Sequence, residues 1–394
     1  MNNFQRDMIA LIRSSITQDQ VKISEDFDWD NAVKLAKRYQ VMPLFYYGTI
    51  NSVITVPNEI NAVLEMNTFQ SVAIDNRQSY ELARVYEGFE KNGIEYMPLK
   101  GSILKSIYPK SEMRPMSDAD ILIKTNQYEK IKSVMTDLGF YEIKESDHEL
   151  VWNKKGSLHL ELHKYLIPSN NEDYYSYYGD GWKFAERVEG SYRYKFSDEN
   201  LLIYIFTHFA KHYRNGEIIL RNIIDLYLIL KNNPEIKNCL YVYGELKKLK
   251  IYQFYTNIVS LIDVWFNGAQ ADTVTDFITD KIFNVLSVDK KDNFYLSTAV
   301  QEMQKSNSAK KAKRKKMWQA FLPKYTDMCI KYRFLRKFPV LLPVMWFVRL
   351  ADAAIFKHKD VSNRVRKLNE LNSDELNAYQ AELELVGLKF NFKE

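Results

Sequence analysis

Pro115–Lys124 reads PMSDADILIK and sets two aspartates, Asp118 and Asp120, at the head of an apolar run. Side chains alternate across a strand, so Asp118, Asp120 and Leu122 share one face while Ala119, Ile121 and Ile123 share the other. Acids beside apolar neighbours are costly unless a counter-charge meets them. A strand with two acids on one face therefore asks for a cation.

A second run, SLHLELH, answers in the same way. Alternation puts His159, Glu161 and His163 on one face and Leu158, Leu160 and Leu162 on the other. Three carboxylates converging from neighbouring strands repel one another unless a divalent ion holds them. An all-oxygen set of this kind suits Mg²⁺ or Mn²⁺, which complete their shell with water and substrate phosphates. The chemistry implied is phosphoryl or nucleotidyl transfer. Upstream, MPLKGS (Met97–Ser102) ends a strand and begins a helix. Gly101 there allows close approach of a phosphate, and the exposed N–H groups of a helix start favour an anion.

Working outward, residues 1–90 carry apolar residues at three- and four-residue spacing and read as helices, with Asp28 or Asp30 as a cap and Gly93 as a stop. From IEYMPLKG to SLHLELHKYL, five short strand-like runs alternate at first with helices, so residues 93–165 read as a compact α/β unit. VWNKKGSLHL reads as a hairpin turning at Lys155-Gly156. A Tyr-rich irregular stretch follows, and helix resumes at SDENLLIYIFTHFAKHYRNG with Ser197 as a start signal. The expected organisation is a helical region (1–92), an α/β core (93–195) and a larger helical region (196–394).

The composition is that of an ordinary globular protein, 46% hydrophobic and 27% charged. The first residues lack the h-region and cleavage site of a signal peptide. Two distant cysteines make neither a disulfide framework nor a zinc knuckle, so a reducing cytoplasm is the expected setting. The net charge of +5 is uneven. Residues 305–337 hold twelve Lys or Arg against Asp327, which leaves the remainder net acidic. That pattern argues against a chain-wide nucleic-acid surface and for a solvated basic segment, with weak attraction to anionic membrane or to nucleic acid as its functional alternative. The following apolar run, Phe338–Phe356, contains Pro339, Pro343, Arg349 and Asp352 and is expected to be a buried helix, with an interfacial anchor as the lesser alternative.

LKGSILKSIYPKSEMRPMSDADILI resembles the signature of an uncharacterised bacterial nucleotidyltransferase family in the DNA polymerase β-like superfamily. LHLELH is similar to its third-carboxylate strand, and THFAKHYRNGEIILRNIIDLYLIL to its His…His…Arg…Asp helices. The likeness is close over residues 97–123 and loose over 30–350. Ala119 stands where a larger aliphatic is common. The resemblance implies an α+β fold with a mixed sheet, flanked by helices. It implies that Asp118 and Asp120 bind catalytic metal, that Glu161 completes the metal site or helps deprotonate the acceptor, and that Gly101 and Ser102 hold the triphosphate. The reaction implied moves an NMP group from an NTP to a hydroxyl of a small molecule such as a sugar, or of a protein, releasing pyrophosphate. A catalytically silent nucleotide-binding or antitoxin-like regulator is the alternative.

Other residues carry paired readings. Lys100 is either a phosphate ligand or a solvated strand-end lysine. Arg114 is either a phosphate clamp or a structural partner of the two aspartates. His159 and His163 are read as hydrogen-bonding supports that orient Glu161. His208 and His212 lie four apart on one helical face but lack the glutamate of HExxH, so they are read as lining the cleft or bonding to the next helix. On that helix Arg221 and Asp225 have i, i+4 spacing and are expected to pair.

Overall fold

The computed structural model describes residues 1–146, 148–168, 171, 174–217, 220–284, 296, 299–300, 314, 318, 321–356, 366 and 373–388. Four helices open the chain: α1 (Asn3–Thr17), α2 (Trp29–Tyr39), α3 (Met42–Ile50) and α4 (Asn58–Lys91). Asn2 and Gln5 form a reciprocal cap on α1, and the Asp28 carboxylate caps α2 by accepting from the Asn31 N–H. The apolar spacing that runs through residues 29–50 is broken in two. Gln40 adopts a left-handed φ of 56°, and Pro43 then opens α3.

Five strands form one mixed sheet: β1 (Tyr96–Pro98), β2 (Ala119–Ile123), β3 (Tyr141–Glu145), β4 (Glu149–Lys154) and β5 (Leu158–His163). Their spatial order is β1-β2-β5-β4-β3, with β2 and β5 parallel and the other neighbours antiparallel. The expected hairpin joins β4 to β5, and Gly156 supplies the left-handed turn conformation at φ 70°. Between β1 and β2 lie the short helix α5 (Gly101–Leu104) and two 3₁₀ turns, and α6 (Tyr128–Asp137) follows β2.

The apolar face of the sheet explains its position. Ala119, Ile121, Leu158, Leu160 and Leu162 pack with Leu82, Val85 and Phe89 of α4 and with Ile131, Val134 and Met135 of α6. Burying a side chain of this kind contributes roughly 1.5–3 kcal/mol. The opposite face, bearing Asp120, Leu122, Glu161 and His163, is thereby turned toward the second half of the chain.

That half begins with α7 (Tyr175–Tyr178) and the ribbon β6 (Ala185–Arg187) with β7 (Tyr194–Phe196). It continues with α8 (Asp198–Arg214), α9 (Leu220–Asn232), α10 (Leu240–Lys248), α11 (Tyr252–Phe266) and α12 (Thr273–Phe283). Ser197 caps α8 as its sequence position foretells. A second core joins α1–α3 to α8–α12 and to the Ser373–Leu385 helix. The architecture is α+β: a mixed sheet flanked by N-terminal helices and a helical C-terminal region.

Two expectations fall differently at the C-terminal end. The Leu342–Phe356 helix is not buried, because Val344 and Phe347 are 55% and 73% exposed and Val340 before it 84%. Apolar composition does not identify what covers a helix, and among the described residues its Leu342, Met345 and Trp346 pack on a small cluster of Met328, Cys329 and Leu335. No helix among the described residues is long and apolar enough to cross a membrane. The basic segment 305–337 falls for the most part outside the described residues up to 320, so its expected membrane contact rests on sequence alone.

Candidate active site

Parallel pairing of β2 with β5 sets Asp120 directly opposite Glu161 and Leu122 opposite His163. Cross-strand partners share a face, so the two acids and His163 meet there. Asp120, Glu161 and His163 bring ligand atoms within 4.8 Å of one another. Asp118 precedes the paired part of β2. It lines the same cavity, half-buried, and accepts a hydrogen bond from Ser117 Oγ at 2.8 Å, but it is not part of that three-residue cluster.

Asp120 is 3% exposed, and its Oδ1 receives two partners: Lys100 Nζ at 2.7 Å and His163 Nε2 at 2.6 Å. Burial works to raise its carboxyl, but the Lys100 ammonium and the His163 hydrogen bond outweigh this and hold it well below the usual carboxylate range. Lys100 is pushed upward in turn, since Asp120 overcomes the effect of burial. Glu161 moves the other way. Burial, with repulsion from Asp120, Glu149 and Asp118, raises its carboxyl to about 7. One acid fixed as an anion beside another that resists ionising marks a place short of positive charge.

Backbone geometry aims Lys100. The Leu99 N–H donates to the Asp120 carbonyl at 2.9 Å, which ties the end of β1 to β2. Lys100 then takes φ 41° and ψ −114°, a conformation that costs a non-glycine residue on the order of 1–3 kcal/mol. Gly101 follows at a tight spot, where a Cβ would lie 3.0 Å from Arg114 Nη1 and 3.1 Å from Met116 Cγ. Ser102 does not line the cavity. Its hydroxyl faces the Asp120 carbonyl at 3.5 Å and the phenol of Tyr86.

The cavity beside these groups has a volume of about 410 Å³. Its sheet wall is acidic, with Asp118, Asp120, Glu149 and Glu161. The facing wall, from α8 and α9, is basic, with His208, Lys211, His212 and Arg221. His208 and His212 both line the cleft, one turn apart, with ring centroids 4.4 Å apart and ring planes tilted by 52°. His212 Nδ1 lies 2.8 Å from Glu217 Oε2. Burial and the neighbouring cations Lys211 and Lys100 hold the His208 imidazole well below its usual range. Burial and Lys100 likewise bring Lys211 down to about 8.

Several assignments change. Arg114 does not contact Asp118 or Asp120. Its guanidinium makes a two-point bond to Asp225, Nε to Oδ1 at 2.8 Å and Nη2 to Oδ2 at 2.9 Å, and Tyr108 donates to the same carboxylate at 2.7 Å. Arg221 consequently does not pair with Asp225 and instead donates to the Pro115 carbonyl at 3.0 Å. The two-point bond from Arg114 and the Tyr108 hydroxyl already occupy the buried Asp225 carboxylate. His163 supports Asp120 more closely than Glu161, from which it stands 3.6 Å. His159 lies 3.9 Å from Glu161 and outside the cavity.

Three contributors lacked a role in the sequence reading. His148 accepts or donates at 3.1 Å to His163 Nδ1, which extends the Asp120–His163 bond by one ring, and burial together with His163 and Lys100 lowers it to about 3. Glu149 pairs across from His163, and alternation along β4 could have placed it. Lys211 is three residues from His208, a spacing that puts it on the same helical face.

The donor set fits a divalent metal ion. Asp120, Glu161 and Asp118 offer oxygen atoms at one end of a cavity, and the place beside Asp120 is taken by an ammonium group, a monovalent cation on a flexible stem.

The model of a family described as "Uncharacterised nucleotidyltransferase" matches residues 25–267. That span runs from before α2 to the end of α11 and contains the whole cavity lining. No curated protein and no solved structure matches the chain.

Proposed function

Since the chain belongs to the uncharacterised nucleotidyltransferase family and is thereby a transferase, we propose that it moves an NMP group from a nucleoside triphosphate to an acceptor hydroxyl and releases pyrophosphate. The observation that carries this reading is the Asp120–Glu161 pair facing a basic wall across one cavity. In this reading residues 93–195 form the catalytic core, with residues 1–92 and 196–394 as flanking helical regions.

Asp120, Glu161 and Asp118 would hold Mg²⁺ or Mn²⁺. Such an ion, when bound, supplies positive charge to the phosphate oxygens of the reacting group. Asp120 is kept ionised and oriented by His163, whose ring is in turn set by His148. Lys100, which bonds to Asp120 in the metal-free site, would be free to meet a phosphate oxygen near Gly101 with an ion held by that carboxylate. Lys211 and Arg221 face the same space from the helices and neutralise the remaining phosphate charge. Glu161, with its raised carboxyl, is the group placed to take the acceptor's proton. Arg114 and Asp225 fix α9 against the loop before Asp118, which positions this wall.

Incubation with NTP labelled at the α-phosphate, Mg²⁺ and candidate acceptors tests the proposal. Label should pass to an acceptor with pyrophosphate release, and Asp118→Asn, Asp120→Asn and Glu161→Gln should abolish both. Magnesium-dependent nucleotide binding with no transfer to any acceptor would favour a silent regulatory protein instead.

A further inference from the structure

A second cavity of about 300 Å³ lies on the other side of the Pro115–Ser117 turn, so the same three residues wall both spaces. Its remaining walls are α4, the junction of α2 with α3, and the segment from Lys105 to Glu112. The two spaces differ in chemistry. Around the first, acidic and basic side chains face open volume. Around the second, the acids are already matched, since Asp75 is paired with Lys105 and Ser111, and Glu112 accepts from Tyr47 Oη at 2.7 Å.

What the second cavity presents is neutral hydrogen-bonding groups beside aliphatic ones. Asn67, Ser71 and Gln78 stand with Met42, Pro43 and Ile74, and an exposed Lys37 lies at the edge. Gln78 is 6% exposed. Its amide nitrogen donates to the Met116 carbonyl at 2.9 Å, which fixes the amide's orientation and leaves its oxygen buried with no hydrogen-bond partner among the described residues. A buried acceptor of this kind is costly until a donor reaches it, and a ligand hydroxyl is such a donor.

Building on the nucleotidyl transfer proposed above, we infer that this second cavity binds the acceptor, and that the acceptor is a small uncharged polyhydroxylated molecule of the sugar class. Its volume suits one small molecule and not a strand or a folded partner. The amide oxygens of Gln78 and Asn67 accept hydrogen bonds from ligand hydroxyls, while Met42, Pro43 and Ile74 cover a ring's aliphatic side. The reacting hydroxyl enters past Ser117, whose own hydroxyl is bonded to Asp118. Its oxygen bonds to the α-phosphorus as the bond from that phosphorus to the α,β-bridging oxygen breaks. Pyrophosphate leaves with the electron pair, and the hydroxyl proton goes to Glu161.

Two variants test this, read by binding of a fluorescent ATP analogue with Mg²⁺ and by transfer from α-labelled NTPs to a panel of free hexoses, N-acetylhexosamines and cyclitols. Ile74→Trp fills the cavity from a side chain that is 53% exposed, so folding should tolerate it. Gln78→Leu removes the amide. The full-length wild type should label at least one member of the panel. Ile74→Trp should bind nucleotide as the wild type does, and both variants should raise the acceptor KM about tenfold or more. Unchanged acceptor KM in Ile74→Trp overturns the inference. So does nucleotide binding by the wild type with label passed only to protein, only to nucleic acid, or to nothing. Failure of the wild type to bind any Mg²⁺–nucleotide removes the nucleotidyltransferase reading on which the inference rests.

Discussion

Asp120 and Glu161 stand directly opposite one another on adjacent parallel strands, and their carboxyls are driven in opposite directions. Lys100 and His163 claim Asp120 and leave Glu161, 3.6 Å from His163, with too little compensation. The asymmetry is a property of the register: slipping β5 by one residue would turn Glu161 to the face packed on α4 and put Leu160 or Leu162 in the cavity.

Lys100 serves as the counter-charge of Asp120 when no metal ion is bound. Lys100→Met should therefore destabilise the metal-free protein by about 1–3 kcal/mol, because a buried carboxylate loses one of its two partners. Mn²⁺ should restore more stability to this variant than to the wild type, since in the variant the ion displaces nothing. Urea denaturation with and without Mn²⁺ measures both effects. Equal stabilisation of the two proteins would show that Lys100 and the ion do not share a place.

Lys211 is a half-buried cation maintained at a cost to stability. Burial and Lys100 lower it from the ordinary lysine value to about 8, so below pH 8 the folded protein carries a charge that the unfolded chain holds more easily. Between pH 8 and the unfolded value the unfolded state keeps the proton and the folded state loses it, so this group makes stability rise with pH there. Lys211→Met should raise stability at pH 7 by up to roughly 3 kcal/mol, flatten that alkaline rise and weaken nucleotide binding. Thermal melts from pH 7 to 10 with a nucleotide titration check all three.

Arg114 and Asp225 are 7% and 2% exposed and bonded at two points. Removing one partner strands a buried charge. Asp225→Asn should cost about 3–5 kcal/mol, and Arg114→Met combined with Asp225→Leu should cost much less than the sum of the single changes. A double-mutant cycle in urea gives the coupling. Additive costs would mean that the pair is not a unit.

Sequence reading succeeded where local patterns suffice. Alternation in DADILI and LHLELH put Asp120, Glu161 and His163 on their proper faces, and the apolar backs of both strands do pack on α4 and α6. It could not supply what depends on distant pairing. Nothing local says that β5 lies beside β2, that His148 reaches His163, or that Arg114 meets a carboxylate 111 residues away instead of Asp118. Ser102 differs for a related reason: a Lys-Gly-Ser turn reads as a phosphate loop, but here Ser102 lies outside the cavity lining and its hydroxyl faces Asp120's backbone and Tyr86. For Phe338–Phe356 the apolar count was right and its burial was not, since coverage is decided by what packs on a helix.

The most direct test is equilibrium titration of Mn²⁺ with a non-hydrolysable NTP analogue, followed by electron paramagnetic resonance, in the wild type, Asp120→Asn and Glu161→Gln. The wild type should bind Mn²⁺ in a nucleotide-dependent way, and each substitution should weaken that binding about a hundredfold or more, beyond the range seen for supporting groups around a metal. Mn²⁺ affinity unchanged in both variants would contradict the assignment of this carboxylate pair as the metal–nucleotide site.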